Sequence, residues 1–291
     1  MNKRSFEWIG FILPSVIIVG TFVYAFIAWT VAVSFTNWNT LLPNWSFAGL
    51  SNYFSLFTNN LRFRMDLINN FTFLPFFVLG SMVLGFFLAS LLNKGVKFES
   101  FFRTVFLLPM AISLVVSGTI WVWLYDPTNG AIDVLLKAIR LPTINWLGSM
   151  SFALPAIIIA TIWQYTGFTT SIYLAGLRGI PQEIIEAAKL DGAHGFRLYW
   201  NIIIPMVQSS TVTAFVLMVQ LSLQMFDIIW VMTSGGPAFA TDMPAVYMFI
   251  AAFKQNFVAQ GAAIAVIVFL LTLAVVIPYL FIAGKITEEE S

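Results

Sequence analysis

The chain has no cysteine and a single histidine among its 291 residues, and only 9% of it is charged. Without cysteine there is neither a disulfide framework nor a thiolate metal site. The lone histidine, His194, has no cysteine or carboxylate cluster around it that would suit a metal, and no chemistry is assigned to it. Soluble domains carry about 25% charged residues, so an ordinary water-facing surface is excluded. A net charge of +1 leaves no electrostatic footprint for nucleic acid. No Gly-x-x-x-x-Gly-Lys-Ser/Thr loop occurs, which excludes the phosphate cradle of a nucleotide hydrolase. Nor does the sequence gather the nucleophile, base or metal set that an intramembrane enzyme needs.

What the chain does have is apolar surface. Hydrophobic residues make up 59% of it, more than a water-soluble fold of this size can hide, so lipid must be the solvent. A spanning helix needs about 20 mostly apolar residues. Six stretches qualify, at roughly 9–33, 68–92, 102–124, 153–177, 203–230 and 258–283. Lys3 and Arg4 before the first run give it the look of a signal peptide. The run from Ile9 to Val33 is longer than the ~7–15 residues of a signal core and lacks a small-x-small site, so it reads as a retained helix. With the N-terminus inside, inner segments hold nine Lys and Arg residues: Lys3, Arg4, Lys94, Lys97, Arg103, Arg178, Lys189, Arg197 and Lys285. Outer segments hold five, namely Arg62, Arg64, Lys137, Arg140 and Lys254. The bias places both termini in the cytoplasm. The expected fold is therefore all-α, a polytopic membrane protein with six transmembrane helices in one integral domain spanning 1–291.

Smaller pieces are also readable. Ile132, Leu135, Leu136 and Ile139 recur at helical spacing after Gly130, with Asp133, Lys137 and Arg140 elsewhere on the wheel, as in a short surface helix. Pro244–Phe253 is apolar but too short to span, and reads as an interfacial or re-entrant piece. Trp38, Trp45, Trp123 and Trp146 fall near expected outer boundaries, where aromatic residues anchor helices.

The stretch Gly179–Pro205 is the most informative. Pro181 suits a helix start, Glu183 favours the positive end of a helix dipole, and helix is expected to about Leu190. Asp191-Gly192 then supplies a turn, since glycine tolerates the left-handed conformation that ends helices. A second short helix from about Phe196 leads toward the fifth span. The result, over about 179–202, is a helix–turn–helix elbow too polar to enter lipid.

This elbow closely resembles the Glu-Ala-Ala loop of permease subunits in ATP-binding-cassette importers. Glu186, Ala187, Ala188, Asp191, Gly192 and Ala193 match in register, as do Tyr199, Ile202 and Pro205. Ile204 stands where the family usually has leucine, and His194 where a small residue is common. The resemblance implies a coupling helix that seats in a groove on a separate ATPase. Glu186 would pair with a basic residue there, Ala187 and Ala188 would allow close approach, and Gly192 would set the bend. The implied partners are a second homologous permease, an ATPase homodimer or two ATPase subunits, and an extracytoplasmic solute-binding protein. No cofactor is implied on this chain, because ATP and Mg belong to the ATPase. The implied location is the cytoplasmic membrane of a bacterium or archaeon.

The likeness extends over nearly the whole chain to the carbohydrate-uptake branch, maltose-type and glycerol-phosphate-type. It rests on Ser34-Phe35-Thr36-Asn37-Trp38, Gly49-Leu50-Ser51-Asn52-Tyr53, Phe102-Arg103 with Leu108-Pro109, Trp121 to Gly130, and Phe226-Asp227 with Thr233-Ser234-Gly235-Gly236-Pro237. Departures are Tyr24-Ala25 for a frequent Tyr-Pro, Asn70 for threonine and Asp133 for asparagine. A sugar or oligosaccharide is the implied cargo. On a continuous fifth helix Ser209, Thr213, Gln220, Gln224 and Asp227 fall within an arc of roughly 60°. Buried polar groups in lipid cost several kcal/mol unless paired or hydrated, so such a face is either an aqueous path or a helix contact. Gln164 and Ser171 in the fourth span, near Trp163, Tyr165 and Phe168, are further pathway candidates, or else packing residues. The alternative to an ATP-driven permease is a self-sufficient secondary transporter or channel for a small polar solute, which would use mid-membrane ionisable sites or paired repeats.

Overall fold

A computed structural model describes residues 3–95 and 97–289, with helix side chains described from Leu13 to Phe281. Lys3, Arg4 and Lys285, three of the charges behind the expected orientation, have side chains outside that range. Among the described residues the structure is helical, with one isolated bridge between Thr36 and Phe47. The chain is an all-α, multi-pass membrane protein. By its internal packing the chain divides into two compact units, both built of apolar helices.

The first unit takes the chain up to Leu61 together with Tyr247–Phe269. Helix α1 (Lys3–Ser34) is apolar all round and largely bare, with Val19 62%, Tyr24 74% and Phe26 64% exposed. Lipid or protein must cover such a helix. Behind it, α2 (Ser51–Thr58) is tied back through amides. Asn52 Nδ2 donates to the carbonyls of Ser34 and Thr36, each at 2.9 Å, and Tyr53 shares a 2.6 Å hydrogen bond with Ser34 Oγ. The two motifs that carry the carbohydrate-branch likeness here, Ser34–Trp38 and Gly49–Tyr53, are thus bonded to each other. Trp38 and Trp45 pack together at 5.4 Å, and Trp29 meets Trp45 edge-on at 5.1 Å.

The second unit takes Arg62–Val246 and the chain from Leu270 onward. It contains α3 (Leu61–Leu92), α4 (Glu99–Ala111), α5 (Leu114–Leu124), α6 (Ala131–Ala138), α7 (Ala153–Arg178) and α8 (Gln182–Leu190). Then come α9 (Phe196–Leu198), a π-turn at Tyr199–Ile203, α10 (Ile204–Met206), α11 (Gln208–Leu223) and α12 (Asp227–Met232). Helix α13 (Pro244–Phe249) continues as a second π-turn (Ile250–Lys254), and α14 (Val258–Glu289) ends the described chain; of these, Tyr247–Phe269 belongs to the first unit.

Three helices are long and apolar enough to cross a membrane by length and composition, over Leu13–Ser34, Leu61–Leu92 and Val258–Phe281. Two helix pairs pass the same test only when taken together, and both are sharply bent: α4 with α5 at 98°, and α9–α10 with α11 at 71°. The expected third span, 102–124, is therefore broken at Ile112–Ser113. The expected fifth span, 203–230, is broken twice, at Val207 and again at Gln224–Phe226. Helix α7 has 26 residues, about 39 Å, but its threonines and Gln164 make it too polar for lipid. Burial explains that composition: Thr161, Gln164, Thr166, Thr169 and Thr170 are all buried, so the polar face of α7 is enclosed by protein, while Ile159 and Trp163 stay exposed on another face. Gly167 and Gly85 make the enclosure possible. A Cβ on Gly167 would stand 2.0 Å from the Phe106 carbonyl of α4, and one on Gly85 would stand 2.1 Å from Thr169 Oγ1.

Helix α6 forms where the apolar spacing places it. Asp133, though polar, points inward and is 0% exposed, accepting from Trp146 Nε1 at 3.2 Å. Trp146 is thereby bonded within the fold as well as packed, tilted, against Tyr125 at 5.3 Å.

Candidate functional site

The elbow is assembled from local rules. Gly179 caps α7, and Pro181, with φ −57° and ψ 133°, is the N-cap of α8 rather than its first helical residue. Glu183 stands in the first turn and Lys189 in the last, each at the end of the dipole that favours its charge. At the far end Gly192 has φ +85°. Its N–H bonds the Lys189 carbonyl at 3.1 Å while the N–H of Ala193 bonds that of Ala188 at 2.9 Å. This pair of bonds is a Schellman closure, and the left-handed residue it requires is the glycine of Asp191-Gly192.

The second limb starts at Phe196 and passes into the π-turn. Pro205 has no N–H to return to the preceding turn, and Ile204 reaches back five residues to the Tyr199 carbonyl instead. The chain bends again at Val207, so the elbow is set off from α11 by 71°.

Exposure sorts the elbow into two faces. Ala188 and Leu198 are buried, whereas Glu183, Glu186, Ala187 and Leu190 share an outward stripe at helical spacing. Leu190 is 89% exposed, Phe196 79% and Trp200 62%, and the last two stack at 5.7 Å. Asp191, Gly192 and Pro205 are exposed beside them, and Ala193 is half-buried. Bare leucine and aromatic rings next to acidic side chains form the kind of patch that another protein covers. Sequence reasoning named the acidic and small residues but missed Leu190, Phe196 and Trp200, whose exposure follows from the turn geometry and has no signal in composition.

The polar residues of the spans are distributed differently. Gln164 is buried and its amide is fully engaged: Nε2 donates to the carbonyls of Pro109 (2.6 Å) and Ile112 (3.2 Å), and Oε1 accepts from Ser117. Those carbonyls lie at the α4–α5 break, where a helix end has lost its partners. Gln164 therefore closes the bend and does not face an open path in this conformation. Asn70 does the same for the second break, donating to the Ser222 carbonyl at 3.0 Å near the end of α11. It was noted from sequence as a departure and not as a structural bond. Ser171 is half-buried and bonds the Gly167 carbonyl within its own helix.

The expected polar arc is corrected by the break at Gln224. Thr213 and Gln220, both half-buried, remain on α11, and Thr213 faces Tyr279 Oη at 3.4 Å. Gln224 is the C-cap of α11, and Asp227 opens α12, so the helical phase does not carry through. Both are exposed. An open, mostly apolar cavity of ≈ 630 Å³ lies among α3, α4, α5 and α7, lined by Leu84, Leu88, Phe106, Trp121 and Trp163. Its walls offer few polar groups to sugar hydroxyls. Among the described residues no group of three or more His, Cys, Asp or Glu could hold a metal ion.

Ionisable groups in two loops are shifted. The Thr128 hydroxyl, with the N–H groups of Asn129 and Thr128, holds the exposed Asp126 carboxyl below its usual range. Burial pushes the Asp242 carboxyl up, against the opposing pull of Arg62.

An all-α membrane fold with two amide-bonded helix breaks carries an outward elbow of acidic and bare apolar side chains. Residues 81–287 match the family described as binding-protein-dependent transport system inner membrane component, and the chain belongs to that family. It is 44% identical over 277 residues to a probable ABC transporter permease protein of Pyrococcus horikoshii, covering 94% of each chain. It is 36% identical over 287 residues to the xylose/arabinose import permease protein XacH of Haloferax volcanii, covering 98% of this chain and 89% of that one. In fold it is similar to a chain of a bacterial ABC transporter involved in the import of the acidic polysaccharide alginate. The TM-score is 0.84 at 21% identity, over 98% of this chain and 97% of that one.

Proposed function

We propose that this chain is the permease subunit of an ATP-driven importer and forms half of a translocation pathway for a sugar or oligosaccharide. The observation that carries the reading is the elbow, with Glu183 and Glu186 presented outward beside bare Leu190, Phe196 and Trp200. Its proposed role is to seat on a separate ATPase subunit, with Glu186 paired to a basic residue there. Ala187 and Ala188 permit close approach, and Asp191, Gly192 and Ala193 fix the turn. Closure of the ATPase pair would push the elbow, and Pro205 with the Val207 bend would pass that movement into α11.

The pathway would run between this chain and a second homologous permease, fed by an extracytoplasmic binding protein and driven by two ATPase subunits that hold ATP and Mg. Support for a sugar cargo comes from the pentose-named relative and from the carbohydrate-branch motifs. In this reading α1, α3, α4–α5, α7, α10–α12 and α14 would make six crossings, with both termini and the elbow in the cytoplasm. Thr213, Gln220, Gln224 and Asp227 remain the residues proposed to meet cargo, split between α11 and the head of α12. Gln164 and Ser171 take a supporting role.

Broken helices are also the hallmark of secondary transporters, whose freed carbonyls coordinate ions. Here the carbonyls at the breaks are occupied by Gln164 and Asn70, which favours the ATP-driven reading. The test is Glu186→Lys in the assembled importer. Uptake and substrate-stimulated ATP hydrolysis should fall at least about tenfold while membrane insertion is kept, as expected for reversing a charge across a docked pair. Unchanged uptake would remove the coupling role.

A further inference from the structure

Asp66 is 0% exposed, and neither of its carboxyl oxygens has an N–H or O–H partner. A buried charge left in that state is costly enough that it needs an explanation. Helix α3 is 32 residues long, about 48 Å, whereas the hydrocarbon core takes about 30 Å. Its first two turns, with Arg62, Arg64 and Asp66, stand ahead of the apolar run. Asp66 shares a helix face with Arg62 and Asn69, which both bond the loop that follows α12.

That loop is held to the head of α3 by several bonds. Arg62 Nε pairs with Asp242 Oδ2 at 2.6 Å, and the Arg62 guanidinium lies 4.7 Å from the centre of the Phe239 ring. Asn69 Nδ2 donates to the carbonyls of Phe239 (2.7 Å) and Asp242 (2.9 Å). Thr233 and Thr241 hydroxyls meet at 2.6 Å, and Thr241 Oγ1 donates to the Gly236 carbonyl at 2.7 Å. Gly235, with φ +88°, lets the backbone press on Asp242, where a Cβ would come within 2.8 Å of Oδ1.

The charges in this assembly do not balance. Arg62 is matched by Asp242, which is also 0% exposed, and Asp66 adds a second carboxyl. The charged groups acting on Asp66 are Asp242, from the loop, and Arg62, from its own helix. Arg62 and Asn69, about one turn to either side of Asp66 on the same face of α3, both bond Asp242, so the two carboxyls are brought together. Two carboxylates are acceptors only, so they cannot bond unless one of them carries a proton.

We propose that Asp66 and Asp242 hold one proton between them and form, with Arg62, a neutral proton-binding site that latches the 233–243 loop to α3. Loss of the proton leaves two buried negative charges against one guanidinium, and their repulsion releases the loop. The sign follows from linkage. An unfolded aspartate releases its proton near pH 3.9, while the folded site keeps it to higher pH. Stability is therefore greatest at low pH and falls as pH rises, by up to about tenfold in the folded-to-unfolded ratio per pH unit, until the folded site itself deprotonates.

The experiment uses the intact importer complex. Thermal unfolding is followed from about pH 5 to about pH 9 for wild type and Asp66→Asn, whose amide donates to Asp242 at every pH. The infrared absorption of a protonated carboxyl is recorded on the same samples. Wild type should lose stability as pH rises, whereas the variant should stay flat near the wild-type acidic value. The carboxyl band should be present in wild type at neutral pH, fade on alkalinisation and be missing in Asp66→Asn. Identical pH profiles, or a carboxyl band that survives Asp66→Asn, would overturn the proposal. Recovery of alkaline stability on adding sodium or potassium would also overturn it, by assigning the missing charge to a metal cation.

Discussion

Replacing Gln164 with leucine tests how a helix bent by 98° in the middle of a membrane protein is held. Leucine nearly conserves the volume, so the loss reads the amide and little else. Pro109 O keeps a bond from the Ile112 N–H at 3.2 Å, but Ile112 O and the Ser117 hydroxyl lose their side-chain partner. Each unsatisfied buried group costs about 1–3 kcal/mol, although bonds between membrane helices have measured nearer ~0.6, with a maximum of ~1.7. Two such losses give an expected destabilisation of about 2 kcal/mol, within a range of ~1–4. The assay is reversible unfolding of the purified chain in mixed micelles, with Ser117→Ala and the double variant completing a cycle. The coupling between the two positions should be about 0.6–1.7 kcal/mol. A Gln164→Leu variant within about 0.5 kcal/mol of wild type, as for a surface change, would refute the reasoning and leave the bend to packing alone.

Three further outcomes follow from the same structure. Gly167→Ala places a methyl 2.0 Å from a backbone carbonyl of α4, which cannot rotate away, so α4 and α7 must part. The expected cost is about 1–3 kcal/mol or more, measured by unfolding, and a neutral effect would contradict the close approach. Asp133→Ala strands the Trp146 indole N–H and should cost about 1–3 kcal/mol in the same assay, whereas a surface aspartate would cost almost nothing. Asp126 caps its turn in the ionised form. Amide protection of Thr128 and Asn129 should hold above the ordinary aspartate range and weaken as pH falls through the lowered value, and Asp126→Ala should remove that step.

Sequence and structure agree where local chemistry decides. The elbow's first helix, its end at Leu190 and its turn at Gly192 follow from a proline, a charge at each dipole end and a residue free to take φ +85°. Helix α6 likewise follows from its apolar spacing. The breaks at Ile112–Ser113 and Gln224–Phe226 are marked only weakly, by Pro109 and Ser113 at the first and Gln224 at the second, with no glycine turn at either. What makes them tolerable is an amide supplied from another helix, Gln164 or Asn70, and pairing over that distance has no periodicity to betray it. The polar arc drawn through Asp227 failed for this reason, because a wheel presumes unbroken phase. Asp66 and Asp133 show the converse limit. Asp133, placed on the polar side of its wheel, is buried against Trp146 from a later loop, and Asp66, one turn from Arg62, is buried beneath a loop that lies far on in the chain.

The most direct measurement is affinity purification of this chain in mild detergent from its native membrane, with identification of whatever accompanies it. The account predicts a nucleotide-binding subunit and a second permease in the complex, with the nucleotide-binding subunit lost from the Glu186→Lys variant. Recovery of the chain alone, still moving solute into liposomes without ATP, would contradict it.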